Sequence, residues 1–560
     1  MRCVTARRGR STWPALLAGT ISGVLTAAAA LGVAQLVAGI TGPLGSPVDA
    51  IGEVVINHTP VPVKEFAITH FGSGDKDALV TGILIILIIG AAVAGALAVR
   101  RLWQGLAVLT LFGAAGVAAA VSQPGATGTD VLPVLAGIAP AAATLVLLTR
   151  SARTAFSPLS RTVTTGLPEG ADGTGTQGLP EPPEPAANPG PGPAPGQPAG
   201  PERPSGSSRR RFLVTGAGVA AAAAASGGAG PLLLGRFSVS ASRAAVRLPA
   251  PAVTAPAVPV GAQLRISGLS PFFTPNSQFY RVDTDLVVPQ VPPDSWTLRI
   301  DGMVSRPAEV TFGELLKMPL TEADITLICV SNEVGGPYAG NARWLGVPLA
   351  TLLRRAGVKA GTDQVLSTGT DGMTISTPLQ AILDGRNALV AVGMNGQPLP
   401  VAHGFPARMV VPGLYGYVSA TKWLTRLTVT TFASQQAYWT QRGYAVQAPI
   451  KTESRIDVPK PLAQVRAGLV PVAGVAWAPH RGISAVEVSV DNGPWHAANL
   501  AAADGIDTWR QWLWAWDATP GLHSLRVRAT DGTGAPQTSR EASPVPDGAS
   551  GWDSVVVTVT

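Results

Sequence analysis

Cys329, in the stretch DITLICVSNEVGG (residues 324–336), is one of only two cysteines in a chain of 560 residues. It follows alternating β-formers and precedes a polar, Gly-rich bend, a place from which a thiol can point into a cavity. Three chemistries compete for such a residue. As a thiolate it would ligate a soft or high-valent metal. As a nucleophile it would need a general base within hydrogen-bond reach, for which His403 is the candidate. A lone cysteine after a β-run is also often an inert, buried residue, and spacing alone leaves all three open. Zinc would call for three or four Cys, His or carboxylate ligands, and the sequence has no such cluster. With Cys3 at the far end of the chain, no disulfide framework can be inferred.

A second group of residues has the character of an anion cradle. PVAHGFPARMVVPG puts His403 and Arg408 five positions apart around a turn, and SATKWL adds Lys422. Arginine and lysine among Gly-rich turns suit the holding of a phosphate. Together with an unpaired cysteine they point to a phosphate-bearing cofactor whose metal is completed by the thiolate.

These residues must be positioned by a chain whose two halves differ sharply. The mean hydropathy of +0.27 with only 13% charged residues is too apolar for a soluble protein of this size, and the excess lies before residue 240. Four stretches of roughly 20 apolar residues, long enough to cross a ~30 Å hydrocarbon core, run over 15–40, 79–99, 102–122 and 131–149. Arg7, Arg8 and Arg10 precede the first, Arg100 and Arg101 separate the second and third, and Arg150, Arg153 and Arg161 follow the fourth. The positive-inside rule puts all three groups, and the N-terminus, in the cytoplasm. This topology accounts for the net charge of +7 better than nucleic-acid binding, because the arginines flank apolar segments instead of lining an aromatic-studded face. None of the six histidines lies in these spans, so a transmembrane bis-histidine haem is not expected. The spans read as an anchor, with a quinone or partner-docking surface as the alternative.

Residues 1–150 are thus expected to form a four-helix transmembrane region, and 151–207 a cytoplasmic linker, Pro/Gly/Ala-rich from about 163 and without apolar periodicity. Ser208, Arg209, Arg210, Arg211, Phe212 and Leu213 match the twin-arginine export pattern and lead into an Ala/Gly segment, giving a fifth span over 208–236. Three arginines before a helix would also serve as an ordinary positive-inside flank. Export of this kind places everything after about 237 outside, already folded, as suits a chain that receives a cofactor in the cytoplasm. A spacer at 237–262 precedes a mixed α+β domain at 263–455, with short apolar runs such as WTLRIDG and ARMVVPG and helix-like stretches such as PLATLLRRAG. Alternating runs with Asp/Asn-Gly turns, AVEVSVDNG and HSLRVRATDG, predict an antiparallel β-sandwich at 456–560.

From about 264 onward the sequence resembles the sulfite oxidase family of molybdenum enzymes. The matching stretches, in family order, are TPNSQFYRVDT, LICVSNEVGG, ARWLGVPLATLL, GMNGQPLPVAHGFPARMVVPGLYGYVSATKWLTRL and VAWAPHRGISAVEVSVDNGPW. The resemblance implies a multi-domain chain: an all-α transmembrane region, an α+β molybdopterin-binding domain, then an immunoglobulin-like sandwich of the kind that often mediates homodimer formation. It implies a molybdenum-molybdopterin cofactor with a single pyranopterin, with Cys329 as the protein thiolate on the metal. His403, Arg408 and Lys422 would hold the pterin and its phosphate, with Ala420 and Thr421 offering backbone contacts nearby. Phe279 and Tyr280 match the aromatic pair, and Asp371 in TGTDG is a looser match. Arg281 and Arg481 would line the substrate pocket. The chain departs from sulfite oxidases in placing Arg281 one position early, in aligning Arg481 only with a one-residue gap, and in having Val392 where they carry a pocket tyrosine. The implied activity is oxygen-atom transfer on a small substrate, sulfite-like or an S- or N-oxide. With no CxxCH haem site and no cysteine cluster for iron–sulfur, electrons would pass to a separate cytochrome or quinone-linked carrier. The alternative is a cofactor-free, exported binding or scaffold module of the same fold.

Overall fold

The computed structural model describes residues 13–42, 46–71, 74–124, 126–156 and 206–560. Cys3, the arginines at 7, 8, 10 and 161, and the linker from 163 to 205 lie outside the described residues.

Apolar sequence without a polar face gives long helices. They are α1 (Trp13–Thr41), α4 (Asp75–Arg100), α5 (Leu102–Val121), α6 (Leu132–Phe156) and α7 (Gly206–Leu234), with two shorter helices, α2 (Pro47–His58) and α3 (Val61–Phe71), between the first two. Five helices among the described residues are long and apolar enough to cross a membrane, in agreement with the four spans and the fifth expected from the sequence. One compact unit holds the described parts of 1–48, 79–120 and 128–233. Its helices approach through small residues. A Cβ at Gly23 of α1 would overlap the carbonyl of Ala91 in α4, and one at Gly32 would lie 2.7 Å from the carbonyl oxygen of Ala223 in α7. Close backbone approach of this kind takes over where lipid removes the hydrophobic drive between helices. Within 208–213, Phe212 is buried edge-on against Phe156, and Arg209 lies over the same Phe156 ring.

The second unit holds 234–560 together with two segments from the apolar half, Asp49–Ala78 and Val121–Thr127. After a short helix, α8 (Ser240–Ala245), come ten strands: β1 (Thr297–Gly302), β2 (Ala308–Thr311), β3 (Thr321–Ile328), β4 (Ala339–Pro348), β5 (Gln364–Gly369), β6 (Thr374–Pro378), β7 (Leu389–Met394), β8 (Gln397–Pro398), β9 (Arg408–Val410) and β10 (Leu424–Thr430). They form two sheets, in the orders β2-β1-β10-β5-β6 and β3-β4-β7-β8, with β9 paired to β7. All pairs are antiparallel except β1 with β10. The short helices between strands are amphipathic. In Leu349–Ala356, Leu349, Leu352, Leu353 and Ala356 face the core, and Gly357 ends the helix with φ +71. The run 237–262, read as a spacer, is held along this part of the chain: the Arg243 guanidinium donates to the carbonyls of Pro398 and Leu399, and the Ala252 N–H to that of Leu320.

Nine further strands follow, in one four-stranded and one five-stranded sheet: β11 (Glu453–Val458), β12 (Gln464–Val465), β13 (Gly468–Trp477), β14 (Ile483–Val490), β15 (Trp495–Ala497), β16 (Asn499–Leu500), β17 (Arg510–Ala518), β18 (Gly521–Asp531) and β19 (Asp553–Val559). Alternate residues of both sheets, among them Val472, Val486, Trp512, Val527 and Val557, pack into one core, as the period-2 pattern predicts. Val475, Trp477 and Trp509 instead join the core of the preceding sheets, so the two parts share buried apolar surface.

Candidate functional site

Cys329 is the first residue after β3. Its N–H donates to the carbonyl of Tyr338 at 3.0 Å, just before β4, and its carbonyl accepts from the Asn332 N–H. The buried Asn332 side chain then accepts from the Tyr338 N–H at 2.7 Å. The loop is a folded one, and it leaves Cys329 half-buried. Burial pushes the thiol up, opposed by the Ser331 N–H and hydroxyl and by Lys422. A bare thiol here is therefore protonated at neutral pH, and its thiolate needs a positive partner. The imidazole of His403 does not serve as its base: Nε2 donates to the Asn276 carbonyl at 3.2 Å, and burial followed by the charges of Arg408 and Lys422 pushes the ring down to about 4.

The residues around Cys329 come from three directions. The loop TPNSQFY carries Phe279 and Tyr280, whose rings stack at 5.2 Å, with Phe279 edge-on to both Trp344 and His403. This loop is propped by the two-residue turn Asn395-Gly396, which joins β7 to β8 with φ of +50 and +74, the signature of a tight hairpin. The Asn395 amide donates to the Thr274 carbonyl and to Asn276, the residue that fixes His403. Tyr280 is half-buried, and its hydroxyl proton is held more tightly by desolvation and by the neighbouring Cys329, with Arg408 opposing.

Arg408, on β9 and only 5% exposed, donates to the carbonyls of His403 and Ala420 and lies 5.1 Å over the Trp344 ring. Its Nε–H is buried without a partner. A guanidinium so enclosed, pushed down to about 10 by burial, is normally matched by an anion. Thr421 is buried, with its hydroxyl 2.6 Å from that of Ser367. Lys422 follows, and Trp423 after it adopts φ +49, a left-handed conformation costly for a bulky residue. That turn lays the Lys422 ammonium 4.5 Å over the Trp423 ring and 2.8 Å from Asp283.

Asp283 is the hub of the site's charge. It pairs with Arg281 at 2.6 Å, with Lys422, and with Lys76. Burial alone would raise it, but these three cations hold it well below the usual carboxylate range. Lys422 is pushed down to about 8 by burial, against the pull of Asp283, and so stays charged at neutral pH. Next to the hub, Asp371 accepts from the Met373 N–H and lies beside Asp285, whose Oδ2 is buried without a donor. Asp285 is pushed up to about 9 by burial and by its neighbours Asp371 and Glu53, so it carries a proton at neutral pH.

Phe279, Tyr280, Arg281, Cys329, Asp371, His403, Arg408, Ala420, Thr421 and Lys422 thus fall in one region. Arg481 is otherwise engaged: it donates to Asp531 at 2.9 Å, to the Ile450 carbonyl and to the Thr452 hydroxyl, tying the end of β18 to the segment just before β11. Val392 is fully buried in the main core. Sequence reasoning passed over Asp283, Asp285, Tyr338, Glu53 and Lys76. The first two stand in or just after the quoted FYRVDT run, and only their charge in an apolar neighbourhood marked them. Glu53 and Lys76 had no signal, because they are more than 200 positions away in the chain.

The donor set fits an anionic, metal-bearing cofactor. Arg408, His403 and Lys422 would face its phosphate and ring system, and Cys329 would supply the thiolate. Residues 285–439 match the family model described as the oxidoreductase molybdopterin binding domain. The chain is 31% identical over 293 residues to sulfite oxidase of Gallus gallus, covering 44% of this chain and 63% of that protein. It is 31% identical over 307 residues to mitochondrial sulfite oxidase of Drosophila melanogaster, covering 46% and 52%. The chain thus spans less than two thirds of the length of these curated relatives. Among solved structures it is similar to the sulfane dehydrogenase SoxCD of Paracoccus pantotrophus, with TM-score 0.46 and 24% identity over 52% of this chain and 84% of that one.

Proposed function

Because this chain belongs, through residues 285–439, to the sulfite oxidase-like family of molybdopterin oxidoreductases, we propose that it is a membrane-anchored, extracytoplasmic enzyme. Its substrate class is a small sulfite-like ion or an S- or N-oxide. The family implies a molybdenum-molybdopterin cofactor, which when bound supplies two-electron oxygen-atom transfer chemistry. The protein's residues supply position and charge. Arg408 would donate its unpartnered Nε–H to the cofactor's anionic end, His403 would present a neutral ring, and Cys329 would supply its sulfur as a thiolate. Tyr280 and Phe279 exclude water beside the thiol. Arg281, Lys422 and Lys76 share the single Asp283 carboxylate and so leave net positive charge beside the cradle, which favours an oxyanion there. Electrons then pass to a separate cytochrome or quinone-linked carrier.

The observation that carries this reading is the convergence of a partly exposed Cys329 with a buried guanidinium that lacks a partner. The extracytoplasmic placement draws support from the segments Asp49–Ala78 and Val121–Thr127. Both are loops that the positive-inside rule puts outside, and both fold with the C-terminal half. The twin-arginine run at 208–213 supplies a route for that half to cross after folding. In the proposed layout the cofactor domain occupies 263–455, and an immunoglobulin-like sandwich at 456–560, with its shared two-sheet core, offers a homodimer surface.

Metal and pterin analysis of the full-length protein, purified from a host that makes the cofactor, tests the proposal. About one molybdenum and one pterin per chain are expected, and turnover with sulfite, dimethyl sulfoxide or trimethylamine N-oxide through an artificial mediator then selects the substrate. Cys329→Ser, close in size, should lower turnover at least about hundredfold while shifting stability by no more than about 1 kcal/mol. Unchanged turnover would remove Cys329 from the metal.

A further inference from the structure

The run that carries the charge hub, from Arg281 to Ser295, contains no strand or helix. Its backbone groups lack the ladder that fixes a sheet, so its position depends on side-chain ties. Several of those ties come from the segment between the first two long helices. The Lys76 ammonium, in the first turn of α4, contacts both the Asp283 carboxylate and the Asp285 carbonyl. Glu53, on α2, accepts from the Leu286 N–H at 2.6 Å. Two side chains from Asp49–Ala78 thus hold three residues of the run, Asp283, Asp285 and Leu286, a few positions after the Phe279–Tyr280 pair.

The same segment is anchored a second time. Lys64 on α3 donates to the Tyr438 hydroxyl at 2.8 Å, and Arg442 donates to the Asn57 carbonyl while lying 3.5 Å over the Tyr438 ring. Tyr438 in turn donates its N–H to Thr374, just beyond Asp371. The segment therefore grips both sides of the carboxylate group that borders Lys422. Asp283 is nearly fully enclosed, with its side chain 3% exposed, so a cation added to it or removed from it acts at short range and with little screening.

We propose that Lys76 is a positioning residue for the catalytic site: with Glu53 it clamps Asp283–Leu286 and so holds Asp283 where it orients Lys422 toward the cofactor. The segment between the first two membrane-crossing helices is then a working part of the oxidoreductase, and the C-terminal half lacks a complete site without it. This rests on the functional reading above in one respect, that Lys422 faces a bound pterin.

Lys76→Met and Lys76→Arg in the full-length, cofactor-loaded protein in detergent test it. The readouts are hydrogen–deuterium exchange across 281–289 and the half-time of pterin release on warming, followed by pterin fluorescence. Lys76→Met is expected to speed exchange of the 283–286 amides and pterin release, each by about tenfold, and Lys76→Arg to restore both to near the wild-type values. Lys317→Met, on an exposed surface outside the site, should change neither. Unchanged exchange in Lys76→Met, or a Lys76→Arg protein as impaired as Lys76→Met, would overturn the clamp. If Lys76→Met does not accumulate, Glu53→Ala removes the other tie and should speed exchange at Leu286, and normal exchange there overturns the proposal. Wild-type protein that yields no pterin even after full denaturation refutes the cofactor reading alone, because the exchange comparison still decides the role of Lys76.

Discussion

At the scale of single residues, the site is a set of ionisable groups moved from their ordinary behaviour by burial, then sorted by their neighbours. His403 is the clearest case. Its imidazole is held near 4 in the folded protein, against about 6.5 for a free histidine. Between these values the unfolded chain binds the proton and the folded one does not, so stability rises with pH across about 4 to 6.5 and is lost on acidification. The contribution at stake is at most about 3 kcal/mol. His403→Gln should flatten this part of the stability–pH curve while leaving the curve above pH 7 parallel to wild type, as read from thermal melting across the pH range. An unaltered slope between pH 4 and 6.5 would mean that other groups govern acid sensitivity. Asp285 differs from Asp283 although only one residue separates them. Asp283 meets three cations and stays ionised, whereas Asp285 meets carboxylates and keeps its proton.

At the scale of elements, the site depends on close approaches that leave no room for extra atoms. Gly340 on β4 lies under the Phe279 ring, and a Cβ there would be 2.7 Å from that ring. Gly340→Ala must push Phe279 outward, and with it Tyr280 and the edge contact to His403. Overpacking of this kind costs about 1–3 kcal/mol. The expected result is a lower melting temperature together with weaker pterin retention. A variant with lower stability but normal retention would show that the aromatic pair moves independently of the cofactor site. The Asn395-Gly396 turn acts in the same way from the other side, since its side chain reaches the residue that fixes His403. Elements far from the thiol therefore decide where the cradle sits.

At the scale of the whole molecule, the apolar half lends two segments, Asp49–Ala78 and Val121–Thr127, to the unit that holds residues 234–560. Single cysteines at Asp77 and Thr154, both exposed, test the sidedness in a background lacking Cys3 and Cys329. A membrane-impermeant maleimide added to intact cells should label Asp77→Cys and spare Thr154→Cys, which becomes reactive only after lysis. The reverse pattern would invert the proposed topology and put residues 208–213 on the side opposite to the one the export proposal requires.

Local patterns were enough to read much of this protein. Hydropathy and arginine spacing gave the five long helices, because a helix in lipid must satisfy its own backbone and expose apolar side chains whatever its neighbours do. The family-like blocks marked Cys329, His403, Arg408 and Lys422 as candidates, because each block is a short run whose turn chemistry places its own side chain. Contacts that join distant residues were hidden. Nothing in the sequence ties Lys76 or Glu53 to a run more than 200 positions later, and nothing shows that Arg481 is taken up by Asp531. The pairing of charges is decided by where the chain folds back on itself, and a buried charge takes its meaning from its partner. By itself, the sequence determined which residues could hold a metal-bearing anion. Only the tertiary structure decided which other charges stand beside them, because burial strengthens those interactions and they reach only a few ångströms.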